Sequence, residues 1–303
     1  MTRLRIATRG SPLARWQADH VGDLLVKAEP GVEVEPVVVE TAGDRRRDVP
    51  VWELGGKGVF VKEVQAAILD GRADLAVHSA KDLPSATPEG LVLAAVPERA
   101  DARDALVGAT LAGLPPEAVV ASGSLRRRAQ LAHTRPDLRL VGLRGNMATR
   151  LARVDGPDVD AVVVAAAALD RLGLAERIAE RLAVDVMLPQ VGQGALAVEC
   201  RADDTGARAL LGHIEDTPSR RTVDAERGFL AELGGDCSLP AGAHATLDEG
   251  ERLRVRGIVA SPDGGTVVRH EVEGPASEAP ELGRSLARQL LDDRGGATLL
   301  GRT

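Results

Sequence analysis

The sequence predicts an α/β fold with two similar lobes and a small third domain. Strand and helix patterns alternate through most of the chain, turns from strand to helix repeatedly carry arginine, and the last part changes to consecutive strands closed by a helix. Such alternation favours parallel sheets covered by helices. We therefore expect lobe 1 at residues 1–96 and 195–212, lobe 2 at 100–190 and an α+β domain at 217–303.

Length and composition describe a globular protein with an aliphatic core. The 303 residues allow two or three domains, and aromatic residues make up only 1%. This scarcity and the net charge of -7 argue against nucleic-acid binding. No apolar run approaches the roughly 20 residues that span a bilayer, and the N-terminus has no signal-peptide core, so we expect a cytoplasmic protein without a membrane partner.

The two cysteines have different surroundings, and neither predicts a disulfide framework. Cys200 lies in an apolar strand pattern and is predicted to be a buried small hydrophobe. Cys237 lies in a glycine-rich loop. No metal-ligand spacing is present in the sequence, so we expect no metal site.

Lobe 1 begins with a strand that turns into a capped helix. Ser11 and Pro12 are typical of a helix start, and with Arg9 they form an edge suited to a ligand carboxylate. Taken alone, this segment is better explained as a plain capped helix with a solvated arginine. Residues 43–58 are long and glycine-rich and predict a mobile lid. The predicted strands are 4–8, 32–41, 73–77 and 91–96, and the helices are 11–27 and 59–69.

Residues 76–84, A-V-H-S-A-K-D-L-P, end a strand in a cluster of ionisable groups. Asp82 lies close in sequence to His78, Ser79 and Lys81, before a proline-bounded turn. In open α/β sheets, ligands bind beyond the carboxyl ends of the strands. A solvated turn is the commoner explanation of such a cluster, so the other motifs must decide.

Lobe 2 repeats the arginine-bearing turns. S-G-S-L-R-R-R at 122–128 opens one helix, and R-G-N-M-A-T-R at 144–150 opens another. Guanidinium groups bind carboxylates through paired hydrogen bonds, so these turns and Arg9 favour a small polyanionic ligand. The predicted strands are 105–107, 119–121, 138–143 and 160–165, followed by a helix through 168–172.

A turn-rich hinge, P-Q-V-G-Q-G at 189–194, precedes a strand at 195–199 that we expect to return to the first sheet. An amphipathic helix then follows Pro218, and the Cys237 loop comes after it. The predicted third domain contains strands 241–247, 253–260 and 266–272 and a helix at 280–291.

A series of motifs, in order along the chain, closely resembles the porphobilinogen deaminase (hydroxymethylbilane synthase) family. They are R-G-S-P-L-A at 9–14, G-G-K-G-V-F-V-K-E at 55–63, H-S-A-K-D-L-P at 78–84, S-L-R-R at 124–127, L-R-G-N at 143–146, V-G-Q-G at 191–194 and the Cys237 loop. Each motif is weakly specific, but together they are highly specific and cover the chain to about residue 242.

The resemblance implies two lobes similar to type II periplasmic binding proteins, with a third α+β domain. It implies a monomeric transferase of tetrapyrrole and haem biosynthesis, which joins four porphobilinogen molecules with loss of ammonia and then releases hydroxymethylbilane by hydrolysis. A dipyrromethane cofactor, attached by a thioether to Cys237, primes the chain and stays behind.

The resemblance also assigns site residues. Asp82 is expected to be the catalytic carboxylate, because it can stabilise positive charge on the substrate and help move protons. Lys57 and Phe60 belong to the expected lid. The expected cofactor contacts, besides the attachment at Cys237, are Lys81, Ser124, Arg126, Arg127 and Gly145. The expected substrate contacts are Arg9, Ser11, Arg144, Arg150 and Gln193.

Two positions depart from the family pattern. Gly123 stands where a hydroxyl residue is common, so one ligand contact is expected to be missing. Asp236 replaces the usual glycine before Cys237, and a nearby carboxylate disfavours the thiolate that attachment needs. For His78, a hydrogen bond within the turn is favoured over a catalytic role.

Two other functions compete with the transferase. A non-catalytic two-lobe binding protein for a small polycarboxylate explains the arginine turns but gives Cys237 and the third domain no purpose. An anion-sensing regulatory protein lacks an exposed apolar stripe in the sequence for a partner.

Overall fold

The computed structural model describes residues 2–45, 58–234 and 239–301. The chain forms two compact units. Unit 1 contains residues 1–100 and 195–220, and unit 2 contains residues 101–194 and 221–303. The predicted second lobe and most of the predicted third domain therefore share unit 2.

Unit 1 is built on a five-stranded mixed sheet in the order β2-β1-β3-β10-β4. Strand β1 (Thr2–Arg9) pairs in parallel with β2 (Val32–Val39) and β3 (Leu75–Ser79). Strand β10 (Leu196–Arg201) runs antiparallel to β3 and to β4 (Leu91–Ala95). The near-continuous apolar sequences of β3 and β10 are buried, as central strands covered on both faces require. The helices of this unit are α1 (Pro12–Ala28), α2 (Ala42–Arg45), α3 (Lys62–Leu69) and α7 (Thr205–Gly212).

Unit 2 contains a second five-stranded sheet, in the order β7-β6-β8-β5-β9. Strand β6 (Val119–Ala121) pairs in parallel with β7 (Arg139–Val141) and β8 (Ala161–Ala165). Strand β5 (Asp104–Val107) runs antiparallel to β8 and to β9 (Glu180–Arg181). This arrangement repeats unit 1, because in each sheet the antiparallel strand is the one that the chain enters from the other unit. The helices that belong with this sheet are α4 (Leu125–Thr134), α5 (Met147–Ala152) and α6 (Ala166–Arg171).

The end of unit 2 is a three-stranded antiparallel sheet with helices packed against it. Its strands are β11 (Ala241–Leu247), β12 (Arg252–Ala260) and β13 (Val267–Pro275). Its helices are α9 (Ala279–Arg288), α10 (Gly296–Leu299) and α8 (Thr217–Glu232), of which residues 217–220 are assigned to unit 1. Phe229 is fully buried in this core with Val255 and Leu286. Gly283 brings α9 against α8 so closely that a Cβ would lie 1.8 Å from the Ala225 carbonyl oxygen. Glycine is therefore required where these two helices meet.

The predicted fold class is confirmed, with α/β sheets in both units and a small α+β segment at the C-terminal end. The expected return of residues 195–199 to the first sheet is also confirmed, as β10. The sheets are parallel in part and mixed overall, because β5 and β10 run antiparallel to their neighbours. The predicted burial of Cys200 is confirmed, and that burial raises the pKa of its thiol to about 11.

Candidate active site

The turn after β3 carries the candidate catalytic carboxylate. A 3₁₀ turn, Ala80–Asp82, begins where β3 ends, and the Ala80 N–H donates to the Ala195 carbonyl at 3.0 Å. Lys81 and Asp82 are half-buried. Within the described residues, no hydrogen bond or ion pair engages the Asp82 carboxylate. The turn therefore presents a carboxylate that is free to meet a ligand.

Buried polar contacts fix the strand that leads to Asp82. Gln17 of α1 donates its Nε2 hydrogen to Ser79 Oγ at 2.8 Å. His78 Nε2 lies 3.1 Å from Glu199 Oε2, and Gln65 donates to both oxygens of Glu199, at 2.8 and 3.1 Å. The turn hydrogen bond expected for His78 is replaced by this contact with β10, because His78 still belongs to strand β3.

Arg9 ends β1 and is held by an acidic residue and an aromatic ring. Its Nε donates to Asp44 Oδ2 at 3.1 Å, and its Nη2 donates to Oδ1 of the same carboxylate. The guanidinium carbon lies 4.3 Å from the centre of the Phe60 ring, a cation–π contact. Burial tends to raise the pKa of Asp44, but hydrogen bonds from Arg9 and Thr41 outweigh it and hold that pKa below its ordinary 3.8. Arg9 and Phe60, predicted in different roles, are therefore neighbours.

In unit 2, Asp104 of β5 and two arginines of α4 form a buried charge cluster. Asp104 Oδ1 accepts a hydrogen bond from Arg127 Nε at 2.8 Å, and Oδ2 lies 2.8 Å from Arg126 Nη2. Gln193 Nε2 donates to Asp104 Oδ1 at 2.9 Å and to the Ala102 carbonyl at 2.8 Å. Arg126 is 1% exposed and Asp104 is 0% exposed. Three predicted site residues thus meet around one carboxylate that the sequence patterns did not identify.

This cluster holds more positive than negative charge. Burial tends to raise the pKa of Asp104, but Arg126 and Arg127 outweigh it and hold that pKa below its ordinary 3.8. Burial lowers the pKa of Arg126. Arg126 Nε is buried and has no hydrogen-bond partner among the described residues. Two guanidinium groups facing one carboxylate, with one donor unsatisfied, suit a bound anion.

Helix starts position the remaining predicted residues of unit 2. Ser124 caps α4 by accepting from the Arg127 N–H at 3.5 Å, and Asn146 caps α5. Arg150 Nε donates to the Gly145 carbonyl at 2.9 Å, and Gly145 has a φ of 98°, which favours glycine. Arg144 and Arg150 are half-buried on either side of this helix start. Ser11 caps α1 of unit 1 in the same way, accepting from the Ala14 N–H at 3.3 Å.

Arg171 is a further candidate that the sequence patterns did not identify. It ends α6, and its Nη2 donates to the Gly194 carbonyl at 2.7 Å, beside Gln193. Burial lowers its pKa to about 10, which still leaves it cationic at neutral pH. The sequence feature that could have identified Arg171 is its place in a helix that directly follows a buried strand, as the other predicted arginines of unit 2 lie in turns or helices that follow strands.

Two predicted residues, Lys57 and Cys237, lie outside the described residues. The lid therefore remains a prediction: the structure describes residues 43–45 and 58 of the predicted segment, and Phe60 of the two predicted lid residues. Among the described residues there is no group of acidic, histidine or cysteine side chains that could hold a metal ion. None of the described helices combines the length and apolar character of a bilayer crossing.

Comparison with known proteins decides the family. Residues 4–209 match the family model described as the porphobilinogen deaminase dipyromethane cofactor binding domain, and residues 220–292 match that of the porphobilinogen deaminase C-terminal domain. The chain is 49% identical over 291 residues to the porphobilinogen deaminase of Syntrophotalea carbinolica. The aligned residues make up 95% of this chain and 92% of that protein. The chain belongs to the porphobilinogen deaminase family. This is a family of transferases.

Two solved structures show a weaker similarity to parts of this porphobilinogen deaminase family member. The methionine binding protein MetQ is 13% identical with a TM-score of 0.43, covering 70% of this chain and 89% of its own. A YaeC-family lipoprotein from Enterococcus faecalis V583 is 13% identical with a TM-score of 0.43, covering 71% of this chain and 92% of its own.

Gly123, which departs from the porphobilinogen deaminase pattern, lies in a close backbone approach. A Cβ at this position would fall 2.5 Å from the carbonyl oxygen of Leu143. The two arginine-bearing turns of unit 2 therefore approach more closely than any residue with a side chain would allow. The backbone leaves no space for a side chain at residue 123, so this position offers no hydroxyl contact to a ligand.

Proposed function

We propose that this chain is a hydroxymethylbilane synthase. It condenses four porphobilinogen molecules stepwise, with loss of ammonia, onto a dipyrromethane primer on Cys237, and releases linear hydroxymethylbilane by hydrolysis. The observation that carries this proposal is the family match across both parts of the chain, with 49% identity to a porphobilinogen deaminase. The proposal places a monomer in the cytoplasm.

The described residues fit a dipyrromethane cofactor by their chemistry. This group carries acetate and propionate side chains, and the cluster of Arg126, Arg127 and Asp104 offers surplus positive charge and an unsatisfied donor. When bound, the group supplies the nucleophilic pyrrole carbon that receives the first substrate. Ser124, Lys81 and the Gly145 backbone complete the proposed contacts.

The position of Cys237 in the chain also supports the proposal that this cluster binds the cofactor. Gly242, five residues after Cys237, packs so closely that a Cβ would lie 2.8 Å from Arg126 Cδ. The same Cβ would lie 2.4 Å from the Pro189 carbonyl oxygen. Strand β11, which follows Cys237 in the chain, is therefore held against one of the two arginines that we propose as cofactor contacts.

Asp82 is the proposed catalytic residue. Loss of ammonia from the aminomethyl group of porphobilinogen leaves a cationic electrophile, whose pyrrole N–H faces a carboxylate in this proposal. Asp82 would stabilise that charge and accept a proton from the attacking pyrrole as its aromaticity returns. Its lack of a partner within the described residues leaves both oxygens available for this work.

Arg9, Ser11, Arg144, Arg150 and Gln193 are the proposed substrate contacts. Each porphobilinogen adds an acetate and a propionate, so the growing chain accumulates carboxylates that guanidinium groups bind well. Phe60 already stacks on Arg9. We propose that Phe60 and Lys57 belong to a lid that closes over the substrate.

The experiment that tests this function is the intact mass of the freshly purified protein, with peptide mapping around Cys237. We expect an added mass equal to two linked porphobilinogen-derived units on the peptide that contains Cys237. A Cys237→Ser variant is the matched control and should carry no added mass. Protein that lacks the added mass and does not gain it on incubation with porphobilinogen would contradict the proposal. The non-catalytic binding protein, which the family match does not favour, would then be the better explanation.

A further inference from the structure

Glu226 is a fully buried carboxylate of α8. It is not among the residues that we predict to contact a ligand. Its Oε2 accepts a hydrogen bond from the Gly192 N–H at 2.7 Å. Its Oε1 accepts one from the Ala245 N–H of β11 at 2.9 Å. One side chain of unit 2 therefore joins α8 to a strand and to the 189–194 loop.

The bond to Ala245 spans the segment that carries Cys237. Helix α8 ends at Glu232 and strand β11 begins at Ala241, so Cys237 lies in the connection between them. Glu226 belongs to the element before this connection, and Ala245 belongs to the element after it. The hydrogen bond therefore ties together the two described elements that Cys237 connects in the sequence.

The bond to Gly192 reaches the charge cluster. Gly192 has a φ of 71°, so its backbone adopts a conformation that other residues rarely do. The next residue, Gln193, donates to Asp104 Oδ1 at 2.9 Å and accepts from Arg127 Nη2 at 3.3 Å. The Gly192 N–H that Glu226 binds is therefore one residue away from a side chain that contacts Asp104 and Arg127.

We propose that Glu226 is a positioning residue for cofactor loading, which holds α8, β11 and the 189–194 loop together beside the Asp104, Arg126 and Arg127 cluster. This inference rests on the proposed function. The two backbone N–H groups need two acceptor atoms, and a carboxylate provides both. A glutamine of the same shape provides one acceptor and places an NH₂ donor against the second N–H. Only the acid can hold both elements at once.

The test compares Glu226→Gln with Glu232→Gln in the full chain, produced without porphobilinogen. Glu232 is on the same helix and loses the same charge, but its described ion pair, at 3.4 Å, is with Arg288 of α9. The rate of mass gain on Cys237 after addition of porphobilinogen is measured, together with thermal unfolding. We expect Glu226→Gln to load at least about tenfold more slowly, as loss of one charge-assisted hydrogen bond implies. We expect Glu232→Gln to load at the wild-type rate.

The outcomes separate positioning from general stabilisation. A lower unfolding temperature with a wild-type loading rate per folded molecule would overturn the inference, because Glu226 would then only stabilise the fold. Should Glu226→Gln not fold, Gly192→Ala perturbs the same hydrogen bond from the loop side, and slow loading is again expected. Wild-type protein that never gains mass would overturn the proposed function and this inference with it.

Discussion

The two sheets place a buried carboxylate on equivalent strands and surround it differently. Asp104 lies on β5, the antiparallel strand of unit 2, and contacts two arginines. Glu199 lies on β10, the antiparallel strand of unit 1, and contacts His78 and the amide of Gln65. Both carboxylates are 0% exposed. Equivalent strands of the two sheets therefore carry buried carboxylates, at different positions along the strand, with different electrostatic surroundings.

This difference indicates a division of labour between the units. In unit 2 the cations outnumber the carboxylate, so the cluster retains positive charge for an anion. In unit 1 the carboxylate faces one histidine and an amide, which leaves no comparable surplus. There the buried contact instead fixes β3, the strand that delivers Asp82. We infer that unit 1 supplies the chemistry and unit 2 supplies much of the anion binding.

The largest effect that we expect is on the turnover number of a variant at Asp82, and it tests the proposed division of labour. We expect Asp82→Asn to lower kcat by roughly 100- to 10,000-fold, because it removes the carboxylate that we propose to stabilise charge and move protons. KM should change little. Steady-state kinetics with porphobilinogen and circular dichroism of the folded variant check this prediction.

Arg144→Gln in unit 2 is the contrasting variant. Loss of a charge-assisted hydrogen bond to a substrate carboxylate should raise KM about tenfold or more while kcat falls less. A near-normal kcat for Asp82→Asn, or equal effects of the two variants on kcat, would contradict the inference that unit 1 supplies the chemistry and unit 2 much of the anion binding.

Stability should distinguish the two buried carboxylates. Asp104→Asn leaves two buried guanidinium groups without their counter-charge, and we expect a loss of about 3–5 kcal/mol in the free energy of unfolding. Glu199→Gln keeps an acceptor for Gln65, so the expected loss is about 1–3 kcal/mol. Urea denaturation of the two variants measures both values. A larger loss for Glu199→Gln would mean that the charges of unit 1 matter more than the contacts indicate.

Acid stability should follow the lowered pKa of Asp104. Its folded-state pKa lies below the ordinary 3.8, because the two arginines outweigh burial. The stabilisation is therefore complete above the ordinary pKa and is lost as the pH falls through the lowered value. Free energies of unfolding of wild type and Asp104→Asn, measured from about pH 6 down to about pH 2, should converge at the acid end. A difference that stays constant with pH would show that Asp104 acts through shape and not through charge.

The sequence predicted those parts of the site that depend on local order. The strand followed by Asp82 was predictable because an apolar run ends in a proline-bounded turn. The caps at Ser11, Ser124 and Asn146 were predictable because capping uses residues three positions apart. Strand β10 was assigned to the first sheet because its apolar pattern follows a hinge sequence.

The remaining parts depend on pairing between distant segments, which local patterns do not encode. Asp104 meets Arg127 across 23 positions, and Gln65 meets Glu199 across 134. Glu226 meets Gly192 across 34. In each case the local sequence around the charged residue shows no feature that distinguishes it from other residues of its strand or helix. Its partner becomes apparent only when the distant segments are brought together in the fold.

The smallest expected effect concerns the two serine caps, which are matched between the units. Ser11 and Ser124 each accept a backbone N–H at the start of a helix, at 3.3 and 3.5 Å. We expect Ser11→Ala and Ser124→Ala each to cost about 1 kcal/mol of stability, since both lose one capping bond. Mass gain on Cys237 should nevertheless slow more for Ser124→Ala, because Ser124 is a proposed cofactor contact beside the arginine cluster, whereas Ser11 is a proposed substrate contact only. Equal slowing in both variants would show that capping alone, and not a ligand contact, explains the serine of unit 2.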